Sequence, residues 1–357
     1  MSRRWGSRLQ VSVTMTVTLV LAAAITVAGC GSSSSTAATS PGTAAAPPVA
    51  TSQNAMPLPA PTVAGTLAFA RVTSVVDEGY VVRTGDICVA RTDGTGLTPL
   101  AAGTADESQP AWSPDGRQIA YAAYRLAGSH RSTVRVMNAD GSGRRRLLHS
   151  ALAGEWPAWS RDGTLVAFFQ PPREVRGWLA GWSGLVVANA AEESSWRPVW
   201  KLAGGEVAQG DRFAAWAPDG RILFLRSRLG DVFSGSDFGG TPRRVTTGGG
   251  HGAFALSPDG SQLAIYDQEH DHLVLLPASG DGTPVVLVDN MSQYVPSLSV
   301  RLAWSPDGTA IAFAASSDRA RTPYPPGSAL YVVNADGSGL SVVPNTGKVW
   351  DPAWRPE

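Results

Sequence analysis

Residues 109–122 read Gln109-Pro110-Ala111-Trp112-Ser113-Pro114-Asp115-Gly116-Arg117-Gln118-Ile119-Ala120-Tyr121-Ala122, and the first half of that phrase keeps returning. It comes back as WPAWSRDG at 156, FAAWAPDG at 213, AFALSPDG at 253, RLAWSPDG at 301 and DPAWRPE at 351. The central residues are Trp112, Trp159, Trp216, Leu256, Trp304 and Trp354, so the steps between them are 47, 57, 40, 48 and 50 residues. A self-similar period of that length fits a four-stranded propeller blade.

The rest of the period supplies the other strands. A second apolar strand follows each signature: IAYAA from 119, VAFFQ from 166, ILFLR from 222, LAIYD from 263 and IAFAA from 311. The sixth copy stands at the other end of the sequence, as LAFAR from 67. A third strand runs into an Asp-Gly turn in DICVARTDGTG from 86, TVRVMNADGSG from 133 and ALYVVNADGSG from 329. Short fourth strands follow. In the turns, Pro presets φ, Asp binds nearby backbone amides and Gly accepts positive φ. The fold expected is all-β, a six-bladed β-propeller over 66–357. Its closing blade is composite, with the inner strand from 352–355 and the outer three from 66–101. Closure of this kind removes two exposed sheet edges. The repeated Trp is read as a wedge filling the space between blades.

Composition agrees: 39 Gly, 26 Pro and 12 Trp in 357 residues suit many short strands joined by tight turns. Formal net charge is zero, so no global field favours nucleic acid. Lys201 and Lys348 stand against 27 Arg, which reads as coding bias rather than as a binding signal.

Ahead of the repeat lie two segments of different character. Residues 1–29 carry Arg3, Arg4 and Arg8 before an uncharged apolar run from Val11 to Val27, the pattern of an export signal. The run ends in Val27-Ala28-Gly29-Cys30, which resembles the lipobox of bacterial lipoproteins. That resemblance implies cleavage before Cys30 and acylation of its thiol, giving a lipid anchor outside the cytoplasm. Residues 30–65 form the anchor and a Gly/Ser/Thr/Ala/Pro linker without charge or apolar periodicity, expected to be disordered. Cys88, the other of two cysteines, lies in the apolar run Ile87-Cys88-Val89 and is read as a small buried hydrophobe.

The strings AWSPDGRQIAYAA and VMNADGSG resemble the WD40-like propeller repeat of the TolB-like family, over 66–357. The resemblance implies the six-bladed architecture and a habit of binding proteins at the cell envelope.

No catalytic motif emerges. GWSGL at 181 lacks the last Gly of a nucleophile elbow and begins a strand. The inner strands, PAWS, PAWS, AAWA, FALS, LAWS and PAWR, bring almost no metal ligands to the channel. His270 and His272 flank Asp271 and would share a strand face, the one hint of a metal site, against the plainer reading of a solvated loop. The Asp-Gly turns lack the Lys-Ser/Thr of a phosphate loop. Arg144-Arg145-Arg146 reads as edge protection. No cofactor is expected.

Topology puts the WSPDG and NADGSG turns on one face and the variable loops on the other. Three of the latter are long: 72–85, 170–183 and 315–328. They carry Arg173, Arg176, Trp178 and Trp182 in the second, and Arg319, Arg321 and Tyr324 in the third. Trp, Tyr and Arg are the residue types of interface hot spots. The plainer alternative is that the two Trp fold back over core. The function expected is therefore a monomeric, membrane-anchored binding scaffold for a protein, peptide or glycan. A metal-assisted hydrolase or lyase at the channel mouth is the alternative.

Overall fold

The computed structural model describes residues 58–77, 80–101, 105–125, 132–148, 153–171, 173–175, 178–180, 183–192, 195–202, 212–226, 229–291, 301–317 and 327–357. Within them six four-stranded antiparallel sheets form the blades of a propeller. Blade 1 holds β4 (Ala105–Trp112), β5 (Gln118–Arg125), β6 (Ser132–Asn138) and β7 (Arg145–Arg146). In blade 2, β8 (Glu155–Trp159), β9 (Leu165–Gln170), β12 (Ser183–Asn189) and β13 (Trp196–Leu202) follow the same order. β14 (Arg212–Trp216), β15 (Arg221–Arg226), β16 (Asp231–Ser236) and β17 (Gly239–Arg244) make blade 3. Blade 4 is β18 (His251–Leu256), β19 (Gln262–Asp267), β20 (His272–Pro277) and β21 (Val285–Val288). Blade 5 is β22 (Leu302–Trp304), β23 (Ala310–Ser317), β24 (Gly327–Asn334) and β25 (Ser341–Val343).

Blade 6 is composite. The C-terminal β26 (Val349–Trp354) pairs with β1 (Thr66–Asp77), which pairs with β2 (Tyr80–Arg91) and through it with β3 (Thr98–Ala101). Leu67 lies opposite Trp354, and the Arg355 amide donates to the Thr66 carbonyl at 2.9 Å. Alternation along β1 then joins the ring on both sides. Leu67 and Phe69 pack with Ala310, Ala312, Leu330 and Val332 of blade 5. Ala68 and Ala70 pack with Trp112, Ile119 and Tyr121 of blade 1. Equivalent apolar layers join blades 1 and 2, blades 2 and 3, and blades 3, 4 and 5. Leu67 and Phe69 are wholly buried, and each such side chain contributes about 1.5–3 kcal/mol by transfer from water. Cys88 is buried in this layer too, and burial pushes its thiol up to about 11, so it stays protonated.

The Ser-Pro-Asp-Gly turns repeat one hydrogen-bond set. In blade 1 the Ser113 hydroxyl donates to Asp115 Oδ1 at 2.6 Å and accepts from the Gln118 amide at 2.9 Å, while Gly116 takes φ 63°. Ser160, Ser257 and Ser305 do the same in blades 2, 4 and 5. In blade 3 Ala217 stands in the Ser position, so both hydroxyl bonds are lost, while the backbone bond from Ala217 N to Arg221 O and the Arg221 amide bond to Asp219 remain.

Two expectations change. The long loops at 72–85 and 315–328 are in large part strand. β1 and β2 continue their pairing as far as Asp77 and Tyr80, and β23 and β24 theirs as far as Ser317 and Gly327. Residues 72–76 (Val-Thr-Ser-Val-Val) and 81–84 (Val-Val-Arg-Thr) are rich in β-branched residues and hold no breaker, so the ladder extends. Residues 170–183 contain a separate small hairpin, β10 (Arg173–Val175) with β11 (Trp178–Ala180). Residues 58–65 already lie on the propeller: Val63 packs against the blade 5–6 layer, and the Pro59 carbonyl accepts the Val342 amide at 3.0 Å.

Candidate functional site

The inner strands begin on the face that gathers the second-to-third connections, and there the repeat builds something its signature does not announce. Three residues before the central position, β4, β8, β14 and β26 carry Gln109, Trp156, Phe213 and Asp351, with φ of 57°, 57°, 57° and 54°. Each sits at a register shift, between Ser108 and Ala111, Glu155 and Ala158, Arg212 and Ala215, or opposite Ala68–Ala70. These are bulges. A non-glycine residue in that region costs about 1–3 kcal/mol, which the two flanking ladders absorb.

The bulges join blades through polar atoms. The Gln109 amide donates to Asp351 Oδ2 at 3.2 Å, Gln109 Nε2 to the Tyr124 hydroxyl at 3.1 Å, and the Trp156 amide to Gln109 Oε1 at 2.7 Å. Ser132 Oγ donates to Glu155 Oε1 at 3.3 Å. Arg301, just before β22, occupies the equivalent position of blade 5 and reaches across the channel. Its Nη1 donates to the Pro110 carbonyl of blade 1 at 3.0 Å, and its Nη2 to the Pro157 carbonyl of blade 2, the blade opposite, at 3.4 Å. The guanidinium spans the axis and floors the mouth.

The electrostatics follow from burial. Asp351 is pushed up to about 6 by desolvation, against the pull of Arg301 and of the Gln109 amide. Desolvation lowers Arg301 itself, while Asp351 opposes that shift. Glu155 is raised by burial, with hydrogen bonds from Ser132 and Tyr124 acting the other way. Tyr124 is raised well above its ordinary value by burial and then by Glu155 and Asp351. Beside this acidic arc, Trp156 and Phe213 stand with ring centroids 4.5 Å apart at 54°, and the Arg212 guanidinium lies 5.6 Å over the Phe213 ring. The mouth combines carboxyl groups, hydroxyls, amides and an aromatic pair, which suits reversible polar recognition.

The residues singled out from the sequence fare unequally. Arg173 lies on β10 opposite Ala180, and Trp178 on β11 opposite Val175, so the 170–183 segment presents them on one hairpin. Cys30, Arg176, Trp182, Arg319, Arg321 and Tyr324 lie outside the described residues. His270 and His272 do not share a strand face. His270 sits in the β19–β20 turn, its Nδ1 2.8 Å from Asp267 Oδ2, and His272 opens β20, because the hairpin turns at Gln268–Asp271. Their rings stand 6.3 Å apart, and among the described residues no three His, Cys, Asp or Glu side chains gather to hold a metal ion. Arg144 and Arg145 do more than guard an edge. They donate to the Leu100 carbonyl of blade 6 and the Ala190 carbonyl of blade 2, tying three blades together at the rim.

The inner-strand strings are read only for metal ligands; just upstream of them the structure places Glu155, Arg301 and Asp351 at the channel mouth. The signal was one step upstream. Between copies, the residue three before the centre changes as Gln, Trp, Phe, Ala, Arg and Asp while its surroundings repeat.

Residues 67–357 match the family described as the TolB beta propeller domain. Solved structures share the fold. TolB from Acinetobacter baumannii aligns with TM-score 0.63 at 18% identity, over 82% of this chain and 67% of its own. A putative TolB from Agrobacterium tumefaciens aligns with TM-score 0.51 at 15% identity, over 78% and 88%. A chain of a nidogen/laminin complex aligns with TM-score 0.55 at 12% identity, over 82% and 98%. No curated protein matches the sequence.

Proposed function

This chain belongs to the TolB β-propeller domain family, and from that premise we propose that it is a binding scaffold held at the cell envelope by an acylated Cys30. It recruits a protein, peptide or glycan partner through the face bearing the channel mouth and the long hairpins. The observation that carries this reading is the crossing of the channel by Arg301, whose guanidinium is engaged by carbonyls of blades 1 and 2. A ligand reaching this face meets a bowl floored by that guanidinium. Projecting hairpins on a regular scaffold are where recognition is commonly built. Arg173 and Trp178 on the β10–β11 hairpin, with Arg176 and Trp182 near them in sequence and Arg319, Arg321 and Tyr324 from the separate 315–328 segment, supply the hot-spot residue types for the rim.

The test is affinity capture from crosslinked envelopes with the lipidated chain as bait, run beside a variant carrying Trp178→Ala and Tyr324→Ala. A partner captured by the native chain and lost with the variant supports the reading. Stoichiometric metal in purified tag-free protein, lost on substitution of His270 or His272, would instead point to a metal-assisted hydrolase or lyase and sink it.

A further inference from the structure

On the opposite face the Pro-Asp-Gly turns pack on one another around the axis. A Cβ placed on Gly163 would stand 3.4 Å from the Pro114 ring, one on Gly260 2.4 Å from Pro218, and one on Gly308 3.8 Å from Pro258. A Cβ on Gly116 would instead face the Pro356 carbonyl at 3.0 Å and the Arg355 side chain. At the junction of blades 2 and 3 the series breaks. Arg161 stands where the other copies have Pro, its guanidinium turned away to the Pro258 carbonyl, and nothing lies within 4 Å of the Gly220 position. A groove of about 470 Å³ opens at this junction, lined among others by Arg161, Trp216, Pro218, Gly220, Asp237 and Phe238. Its outer wall is Phe238, 86% exposed and by far the most exposed large apolar side chain among the described residues. Arg197 lies 5.0 Å over that ring and is held by Asp237 at 2.7 Å.

We propose that this groove binds an uncharged, proline-bearing extended segment of a partner protein, one proline ring taking the place left between Arg161 and Gly220. Charge limits the occupant, because the rim sums to zero: Arg161, Arg197 and Arg221 stand against Asp162, Asp219 and Asp237. Arg197 pairs with Asp237, Arg221 with Asp219 at 2.6 Å, and Asp162 accepts from Ser160 and Thr164. A peptide of either net charge would gain no net attraction there and would lose water. The walls match a polyproline II strand: Trp216 and Phe238 offer aromatic surface, and guanidinium N–H groups left over on Arg161 and Arg197 can meet backbone carbonyls that such a strand leaves unbonded. The proposal is independent of the channel-mouth face.

The experiment titrates full-length, detergent-solubilised protein into a fluorescent, end-blocked Ala-Pro-Pro-Val-Ala-Pro peptide, with an all-Ala counterpart as control. Saturable binding of the proline peptide is expected, at least tenfold weaker for the Ala counterpart. Phe238→Ala should weaken it at least tenfold at unchanged circular dichroism, since the ring is exposed. Arg161→Pro should abolish it while leaving the melting temperature equal or higher, because it refills the niche from within the chain. Absence of saturable binding, or binding by either variant as tight as that of the native chain, overturns the proposal. So does self-association in sedimentation that Phe238→Ala removes, which would make a second copy of the chain the occupant.

Discussion

The indole Nε1 of Trp159 donates to the backbone carbonyl of Ala111 at 3.1 Å, reaching from blade 2 into the inner strand of blade 1. Trp216 does the same to Ala158, and Trp304 to Ala255, each at 3.1 Å. Where the sequence shows a repeated Trp as a wedge, the structure gives the wedge a polar hook. The hook is not made everywhere: Trp112 Nε1 and Trp354 Nε1, on either side of the composite blade, are buried without a hydrogen-bond partner.

That difference separates two otherwise identical substitutions. Trp159→Phe keeps most of the ring but removes a buried donor and leaves the Ala111 carbonyl unsatisfied, which should cost about 1–3 kcal/mol. Trp112→Phe deletes a donor that had no partner and should cost clearly less. Urea unfolding of the two variants measures the gap. Equal destabilisation would mean that the indole bond contributes nothing beyond packing.

Arg301 and Asp351 are coupled through burial at the mouth, and removing one should strand the other. Arg301→Met leaves the Asp351 carboxyl in a dry site without its cation, a change that typically costs about 3–5 kcal/mol. It also frees the Pro110 and Pro157 carbonyls. Asp351→Asn keeps an acceptor for the Gln109 amide and should be milder. The measurement is the urea midpoint at pH 7, and the ordering of the two variants is the outcome that matters.

The pH dependence of stability has two limbs of opposite sign. Asp351 rises to about 6 and Glu107 to about 7, both chiefly through desolvation, with Asp86 adding to the Glu107 shift. A carboxyl raised above its unfolded value stabilises the fold when protonated, so that contribution is lost as pH rises through about 6–7. The turn carboxylates do the reverse. Asp259 is held at about 2, first by the Ser257 hydroxyl and then by Ser261, and Asp115, Asp162 and Asp307 are lowered by the same turn. Their contribution is present above the unfolded value near 4 and disappears as pH falls through the folded one. Melting temperature should therefore climb from pH 8 to about 5 and drop below about 4. A profile flat between 5 and 8 would contradict the buried carboxyls.

The blades were legible in the sequence because two periods coincide there: alternation along each strand, and a Pro-Asp-Gly punctuation that recurs at blade length. The mouth was not legible, for a physical reason. A bulge inserts one residue and reverses the alternation, so the aim of Gln109, Trp156, Phe213 or Asp351 cannot be counted off from the flanking strand. Arg301 adds a second difficulty, since its partners Pro110 and Pro157 lie 191 and 144 residues away in the chain. The stretch 72–85 reads as a loop when the connection between two apolar strands is counted by length, although its β-branched residues already continue both strands. The groove at Gly220 did have a visible signal, the single Arg161 among prolines, but its consequence depends on which turn stacks on which.

Cys30→Ser tests the anchor. It should abolish acylation and leave the chain as uncleaved precursor or released protein, with the propeller's circular dichroism intact. Membrane fractionation with mass analysis of the N-terminus checks this. Firm membrane retention with unchanged processing would remove the lipid anchor from the proposed function.

The closing blade gives the sharpest stability prediction. Residues 350–357 contribute little more than one strand, but that strand sets Trp354 opposite Leu67 and Trp350 opposite Ala70, and it carries the Arg355 amide that the Thr66 carbonyl accepts. Deleting them unpairs β1 along its inner edge and strips Trp354 from the layer between blades 5 and 6. It also removes Asp351, leaving Arg301 without its nearby carboxylate. Truncation of one buried Trp commonly costs about 3–5 kcal/mol, while a whole domain has only about 5–15 kcal/mol to lose. The truncated chain should unfold or aggregate at 37 °C. A control lacking residues 1–57 keeps Val63 on the blade 5–6 layer and Pro59 on Val342, and it should melt like the full chain. If the C-terminal deletion melted as the control does, β26 would not be closing the ring, and the energetic account of blade 6 would have to be abandoned.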